Sequence, residues 1–247
     1  MSDQSLAQPH PDVTDSRRPL LQKVLLFCGI GYGVTYIVAN DVIAARMFDG
    51  YSRLDQAISE LSGTQALSRP FLTAMLPAFT LLVLGFGVGV WRAAGPSRAL
   101  RATGTALIAH GLMFPVWLLF PMTSRDQLAT SGGGVNDIGH MVLSVLSLTL
   151  ILTQMGTSAA ALGRPFRYFS VAMAATLLVA GGYTASTAPA TAAGDATRWM
   201  GLIERIMYGS WLLWMAALAV VLLRRRGDEP PGKHMIRVSP RSDGAER

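Results

Sequence analysis

The sequence predicts an all-α polytopic membrane protein: six transmembrane helices in a bundle, with a short amphipathic helix in the first extracytoplasmic loop. Three observations predict it. Six apolar stretches, each about as long as a bilayer-spanning helix, fill most of the 247 residues. Apolar residues make up 51% and charged residues only 15%, against about 25% in soluble domains, and mean hydropathy is +0.37. The short links between the stretches alternate between arginine-rich and mixed charge.

Taken in order, the predicted spans are Lys23 to Ala45, Phe71 to Trp91, Ala102 to Phe120, Ile138 to Thr157, Phe169 to Ala188 and Met200 to Leu223. Residues 1–19 are polar and proline-containing, without the apolar core of a signal peptide before Leu20, and read as a disordered cytoplasmic tail. Residues 20–226 form the transmembrane domain. Residues 227–247, rich in Pro, Gly, Asp and Arg, read as a second disordered cytoplasmic tail.

Charge sets the orientation. Arg17, Arg18 and Lys23 precede the first span; Arg92, Arg98 and Arg101 lie between the second and third. Arg164 and Arg167 separate the fourth and fifth, and Arg224, Arg225 and Arg226 close the sixth. On the other side Arg46, Arg53, Arg69, Arg125 and Arg198 are offset by Asp49, Asp55, Glu60, Asp126, Asp137 and Asp195. Cytoplasmic links carry the excess of positive charge, so both termini are expected in the cytoplasm and the chain in the inner (plasma) membrane. The near-exclusive use of arginine, with Lys23 and Lys233 the only lysines, is associated with a bacterium of GC-rich genome.

Composition also excludes function classes. The net charge of +6 sits in tails and links that flank apolar runs, where it orients helices and meets anionic lipid, so no nucleic-acid partner is expected. The single cysteine, Cys28, leaves no disulfide framework and no thiolate metal cluster. No HxxxH, HExxH or G-x-S-x-G pattern occurs, so neither a metal centre, nor a cofactor, nor a catalytic residue is assigned. His110 lies about 12 Å deeper than His140 by helix rise, too far for the two to share one metal.

Smaller signals refine the helices. Gly29 and Gly33, and Gly85 and Gly89, each repeat at four residues, which suits close packing inside one bundle or a homodimer through the glycine stripes. Pro77 and Pro115 each remove a backbone hydrogen bond and are expected to kink their helices. In the first extracytoplasmic loop Ser52 opens a capped start, and Leu54, Ile58 and Leu61 repeat at i, i+4 and i+7. Gly63 stops this short helix, which is expected on the membrane surface or over the bundle mouth.

The candidate site comes from polar residues within the spans. Asp137, His140, Ser144, Ser147 and Gln154 form one stripe on the fourth span. Asn40 and Asp41 lie about a turn from the outer end of span one. Glu204 and Arg205 lie at the matching depth of span six, with Tyr208 continuing the Glu204 face. With Glu60 from the first loop, these residues share one level and are expected to form an outward-opening polar cup. Asp137 and Glu204 have a second reading, as carboxylates favoured at a helix N-terminus.

Three segments carry a family resemblance. The run Arg53-Leu54-Asp55-Gln56-Ala57-Ile58-Ser59-Glu60-Leu61-Ser62, the span-four start Asp137-Ile138-Gly139-His140, and Gly201-Leu202-Ile203-Glu204-Arg205-Ile206 with Leu212, Leu213 and Trp214 resemble the bacterial integral-membrane family catalogued as domain of unknown function 998. The resemblance covers roughly residues 24–223. It implies six membrane helices and carries no substrate or cofactor.

From the residues themselves three functions are open. The first is a pocket for a small amphipathic molecule or lipid headgroup, bound or moved. The second is a lipid-modifying enzyme using His140 with Asp137 or Glu204. The third is a structural or assembly partner in the bilayer.

Overall fold

The computed structural model describes residues 13–227, so the two tails lie mostly outside the described residues. Helix α1 (Val13–Ile37) widens into a π-helical segment, Val38–Ala44, and ends in α2 (Ala45–Met47). After a long loop come α3 (Arg69–Ala93), α4 (Arg98–Met113), α5 (Arg125–Ser131), α6 (Val135–Ala161), α7 (Arg164–Ser186), α8 (Ala188–Ala192) and α9 (Met200–Gly227). Six segments are long and apolar enough to cross a membrane: Leu20–Met47, Arg69–Ala93, Arg98–Leu119, Val135–Ala161, Arg164–Ala192 and Met200–Arg225. Among the described residues there is no strand.

The long helices close a ring. Helix α1 packs on α3, α3 on α4, α4 on α6, α6 on α7, α7 on α9, and α9 returns to α1. Its interior is filled by aromatic and aliphatic side chains, among them Tyr32, Phe79, Phe86, Trp211 and Trp214. The outward faces carry exposed Leu81, Val145 and Val179, the arrangement a lipid solvent requires. The glycine stripes are covered by the same chain: a side chain at Gly29 would meet Phe86, and one at Gly85 or Gly89 would meet Cys28 or Leu25.

The two prolines act differently. Helix α3 runs on through Pro77, whereas α4 gives way after Met113 to a 3-10 segment, Phe114–Leu119. Pro115 has no N–H to offer the Gly111 carbonyl, and the Phe114 amide takes that carbonyl instead, tightening the turn.

The first long loop covers the end of the ring, one of its two expected places, but as a 3-10 turn and extended chain in place of the expected helix from Ser52. Ser52 Oγ does accept from the Asp55 amide at 3.2 Å, but the turn is not propagated: Ala57 is extended, and only Ile58–Ser62 form a 3-10 helix. Competition for backbone carbonyls explains it. The Arg53 carbonyl accepts from Arg205, the Leu54 carbonyl from the Leu202 amide, the Asp55 carbonyl from Thr197, and the Gln56 and Ala57 carbonyls from Tyr51. Those oxygens would otherwise bond along a helix. Leu61 is fully buried and Leu54 is exposed, so the segment is pressed into the end of the ring.

Candidate functional site

One arginine joins the three long loops at the same end. Arg125, the first residue of α5, grips Glu60 with two parallel bonds, Nε to Oε2 at 2.9 Å and Nη2 to Oε1 at 2.7 Å. The same guanidinium reaches the third loop through the Asp195 carbonyl at 3.0 Å and Thr197 Oγ1 at 2.7 Å. Both partners of the ion pair are largely withdrawn from solvent, Glu60 more so. A forked guanidinium suits such multiple engagement where an ammonium would not.

A second arginine locks the first loop to α9 and α1. Arg205 Nε donates to Asp41 Oδ1 at 2.6 Å, Nη1 to the Arg53 carbonyl at 2.8 Å, and Nη2 to the Tyr51 hydroxyl at 3.1 Å. Arg53 in turn donates to the Asp41 carbonyl at 2.8 and 3.0 Å. That carbonyl lies in the π-helical segment, where the widened turn departs from the ordinary i to i+4 ladder. Asn40, buried beside it, donates from Nδ2 to the Tyr36 carbonyl at 3.0 Å. Tyr51 lies in the loop, and its phenol is pushed up to about 12 by burial, with Arg205 pulling the other way.

Glycine at 201 makes the docking possible. A Cβ there would collide with the Gln56 carbonyl and come within 2.6 Å of the Arg53 carbonyl. Asp55 Oδ1 caps the approach to α9 by accepting from the Trp199 amide at 3.0 Å. Trp199 itself is held at φ +62, a left-handed conformation that costs a non-glycine residue roughly 1–2 kcal/mol.

Glu204 stands apart from these pairs. It is only 8% exposed, and its Oε2 accepts from the Ile58 amide. Among the described residues no cation lies within ion-pair distance of it, and its second oxygen takes no hydrogen bond. One turn further along α9, Tyr208 stacks on Tyr36 with ring centroids 5.6 Å apart. Tyr36 leans on Tyr32 at 5.8 Å and on Phe79 at 5.9 Å, and Tyr32 meets Trp211 at 5.5 Å. The hydroxyls of Tyr32, Tyr36 and Tyr208 make no hydrogen bond to a described residue. Among the described residues, the fully enclosed side-chain atoms without a partner are elsewhere, Gln22 Oε1 and Thr80 Oγ1.

Asp137 and His140 form a separate cluster. The Asp137 carboxylate accepts from the Thr123 amide at 2.9 Å, Thr123 Oγ1 at 2.8 Å and the Gly134 amide at 2.9 Å, which makes it a cap between the second long loop and the start of α6. His140 Nδ1 faces the Phe120 carbonyl at 3.1 Å, so Nδ1 carries a proton, and the ring lies edge-on to Trp117 at 4.8 Å. No hydrogen bond joins His140 to Asp137 or Glu204. Ser144 bonds back to the His140 carbonyl at 2.9 Å.

Deeper in the ring His110 is held at both nitrogens. Gln154 Nε2 lies 3.3 Å from Nδ1, and Ser147 Oγ lies 3.2 Å from Nε2. Gln154 Oε1 accepts from Trp211 Nε1 at 3.0 Å. The inner part of the α6 stripe, Ser147 and Gln154, thus finds its partners on α4 and α9.

Of the residues singled out from the sequence, Asp41, Glu60, Glu204 and Arg205 come together through the first long loop, with Asn40 and Tyr208 beside them. Asp137 and His140 are at the same end but bond to the second loop. The sequence reading passed over Arg125, Tyr51, Asp55 and Thr197. For Arg125 nothing near it in sequence pointed to Glu60 or Thr197, which come to it from the two other loops.

Six apolar helices in a closed ring, tied at one end by buried ion pairs, define a polytopic integral membrane protein. The chain belongs to the family described as protein of unknown function (DUF998), which matches residues 30–221. Comparison with curated proteins and with solved structures gave no match.

Proposed function

We propose that this is a non-enzymatic bacterial inner-membrane protein that binds, or moves, a small amphipathic molecule or lipid headgroup. Its site lies at Glu204, beneath the first long loop. The loops whose arginines are balanced by acids face outward and both termini face the cytoplasm, by the charge bias of the links. The observation that carries the proposal is Glu204: a buried carboxylate with one backbone donor, one helical turn from Tyr208, whose hydroxyl has no partner among the described residues. Buried polar groups are almost always satisfied, by protein, water or ligand. Here protein satisfies only one oxygen, which leaves the others to water or to a ligand.

The ion pairs Glu60–Arg125 and Asp41–Arg205 then act as an outer gate that holds the first loop down over the site. In this arrangement Asp137 and His140 brace the second loop and do not contact the ligand. The placement of Glu204 between α1 and α9 also supports access at that seam, since the loop that covers it is held by side chains and not by continuous secondary structure.

The test uses native mass spectrometry of gently purified protein together with cysteine accessibility. In a Cys28→Ser background, Tyr208→Cys is expected to resist an aqueous thiol reagent and to react once Arg125→Ala opens the gate. A small molecule retained by the wild type and lost from Glu204→Gln supports the proposal. An identical empty spectrum for both proteins, with Tyr208→Cys unreactive in either background, removes it and leaves a structural role.

A further inference from the structure

Every other in-span or loop carboxylate of this network has a partner of matching charge or a full set of donors. Glu60 has Arg125, Asp41 has Arg205, and Asp137 accepts three hydrogen bonds. Glu204 is more than nine-tenths buried and has neither. Its sequence neighbour Arg205 gives it no hydrogen bond and directs its donors to Asp41, the Arg53 and Gly201 carbonyls and Tyr51. What faces Glu204 instead is aromatic. Tyr208 follows it by one turn on the same helix face, and the Tyr208 ring is stacked on Tyr36, which continues to Tyr32 and Phe79.

We infer that this place takes a substituted ammonium group, the cationic head of the amphipathic ligand. The inference deepens the function proposed above and rests on it. A desolvated carboxylate gains most from a cation, and the faces of tyrosine rings attract a weakly hydrated, methylated cation by their quadrupole, most strongly when desolvated. A quaternary ammonium needs only charge and ring faces. The tyrosine hydroxyls remain free to bond a hydroxyl or ester on the same ligand. The Ile58 amide, now on Glu204 Oε2, is the contact that arrival of the cation loosens, and it belongs to the loop that the two arginines hold.

The experiment uses full-length protein in lipid nanodiscs and measures binding of radiolabelled choline. Unlabelled tetramethylammonium and the uncharged carbon analogue of choline, 3,3-dimethylbutan-1-ol, serve as competitors. The expected result is saturable binding, displaced by tetramethylammonium and not by the neutral analogue. Glu204→Gln lowers affinity at least tenfold, and Tyr208→Leu does likewise. Asp126→Asn, an exposed acid at the same end, leaves binding unchanged. Melting curves of Glu204→Gln within a few degrees of wild type show that the loss is not unfolding; if that variant fails to fold, Glu204→Asp with a reduced affinity carries the test. Equal competition by the neutral analogue overturns the cation and keeps a binding site. Absence of saturable choline binding, with some other molecule retained in native spectra and lost in Glu204→Gln, also overturns the cation alone. Absence of any ligand by both methods overturns the site together with it.

Discussion

Arg125 and Glu60 face each other across two loops as a forked ion pair, 2.7 and 2.9 Å, and the same guanidinium continues to the third loop. A pair this withdrawn from water is poor evidence of net stabilisation, yet breaking it from one side is costly, because a charge is left without a partner. Arg125→Ala is therefore expected to destabilise the protein by about 3–5 kcal/mol, and Glu60→Gln by a similar or smaller amount. The double variant is expected to cost clearly less than the sum. A double-mutant cycle on reversible unfolding in bicelles measures the coupling; additivity within about 0.5 kcal/mol would refute the link.

Gly201 has no room for a methyl group beneath the Gln56 and Arg53 carbonyls. Gly201→Ala is expected to lift the first long loop, at about 1–3 kcal/mol as for other overpacked sites. Faster amide exchange across Gly50–Ser62, with exchange in α3 and α6 unchanged, is the expected signature. Gly182, where a Cβ would meet nothing within 4 Å, is the control: alanine there is neutral or stabilising by up to about 1 kcal/mol.

Tyr51 gives the loop a pH limit. Burial raises its phenol from the ordinary 10 to about 12 in the folded protein. The folded state thus holds the proton more tightly than the unfolded chain, and the associated stability is complete below about pH 10 and lost as pH rises through about 12. Loop protection measured by amide exchange or proteolysis is expected to be insensitive to pH from neutrality to about 10 on this account. Tyrosinate absorbance in wild type minus Tyr51→Phe should show the raised titration. A difference spectrum titrating at 10 would place the phenol in water.

The spans and the depth of their polar residues were legible because both are local properties. About 20 apolar residues make a crossing, and a fixed rise per residue converts sequence position into height. The direction in which a residue points around the ring is not local. It depends on the order in which helices pack, and α6 packs between α4 and α7, reaching α9 deep in the ring through Gln154. That is why Asp137 and His140 share a level with Glu204 and bond to a different loop. The first-loop helix failed for a related reason: its i, i+4, i+7 pattern was real, but distant donors on Tyr51, Arg205 and Thr197 claimed its carbonyls. Arg125 was counted as loop charge, since nothing near it in sequence shows that Glu60 and Thr197 surround it.

Orientation follows from charge and can be read directly. In a Cys28→Ser background, Ser131→Cys and Pro96→Cys each expose a thiol in a link at opposite ends of the ring. An impermeant thiol reagent applied to intact cells is expected to label Ser131→Cys and not Pro96→Cys. The reverse pattern would place the ion-pair network in the cytoplasm and end the outward-facing proposal.

Gln154 is the residue on which the deep polar cluster depends. Its amide serves Trp211 Nε1 at 3.0 Å through Oε1 and His110 Nδ1 at 3.3 Å through Nε2, with the Ala106 carbonyl also at 3.3 Å. Gln154→Leu keeps the volume but strands two buried side chains at once, at about 1–3 kcal/mol for each unsatisfied group. Trp211→Phe strands a single buried acceptor, Gln154 Oε1, so its hydrogen-bond cost is about that of one unsatisfied group, and lost packing adds to it. Gln154→Leu combined with His110→Phe, which replaces both polar partners by apolar ones, is expected to recover part of the loss. Recovery in unfolding measurements would identify His110 as a strut between α4, α6 and α9. A double variant no more stable than Gln154→Leu would mean that the imidazole contributes nothing through that bond.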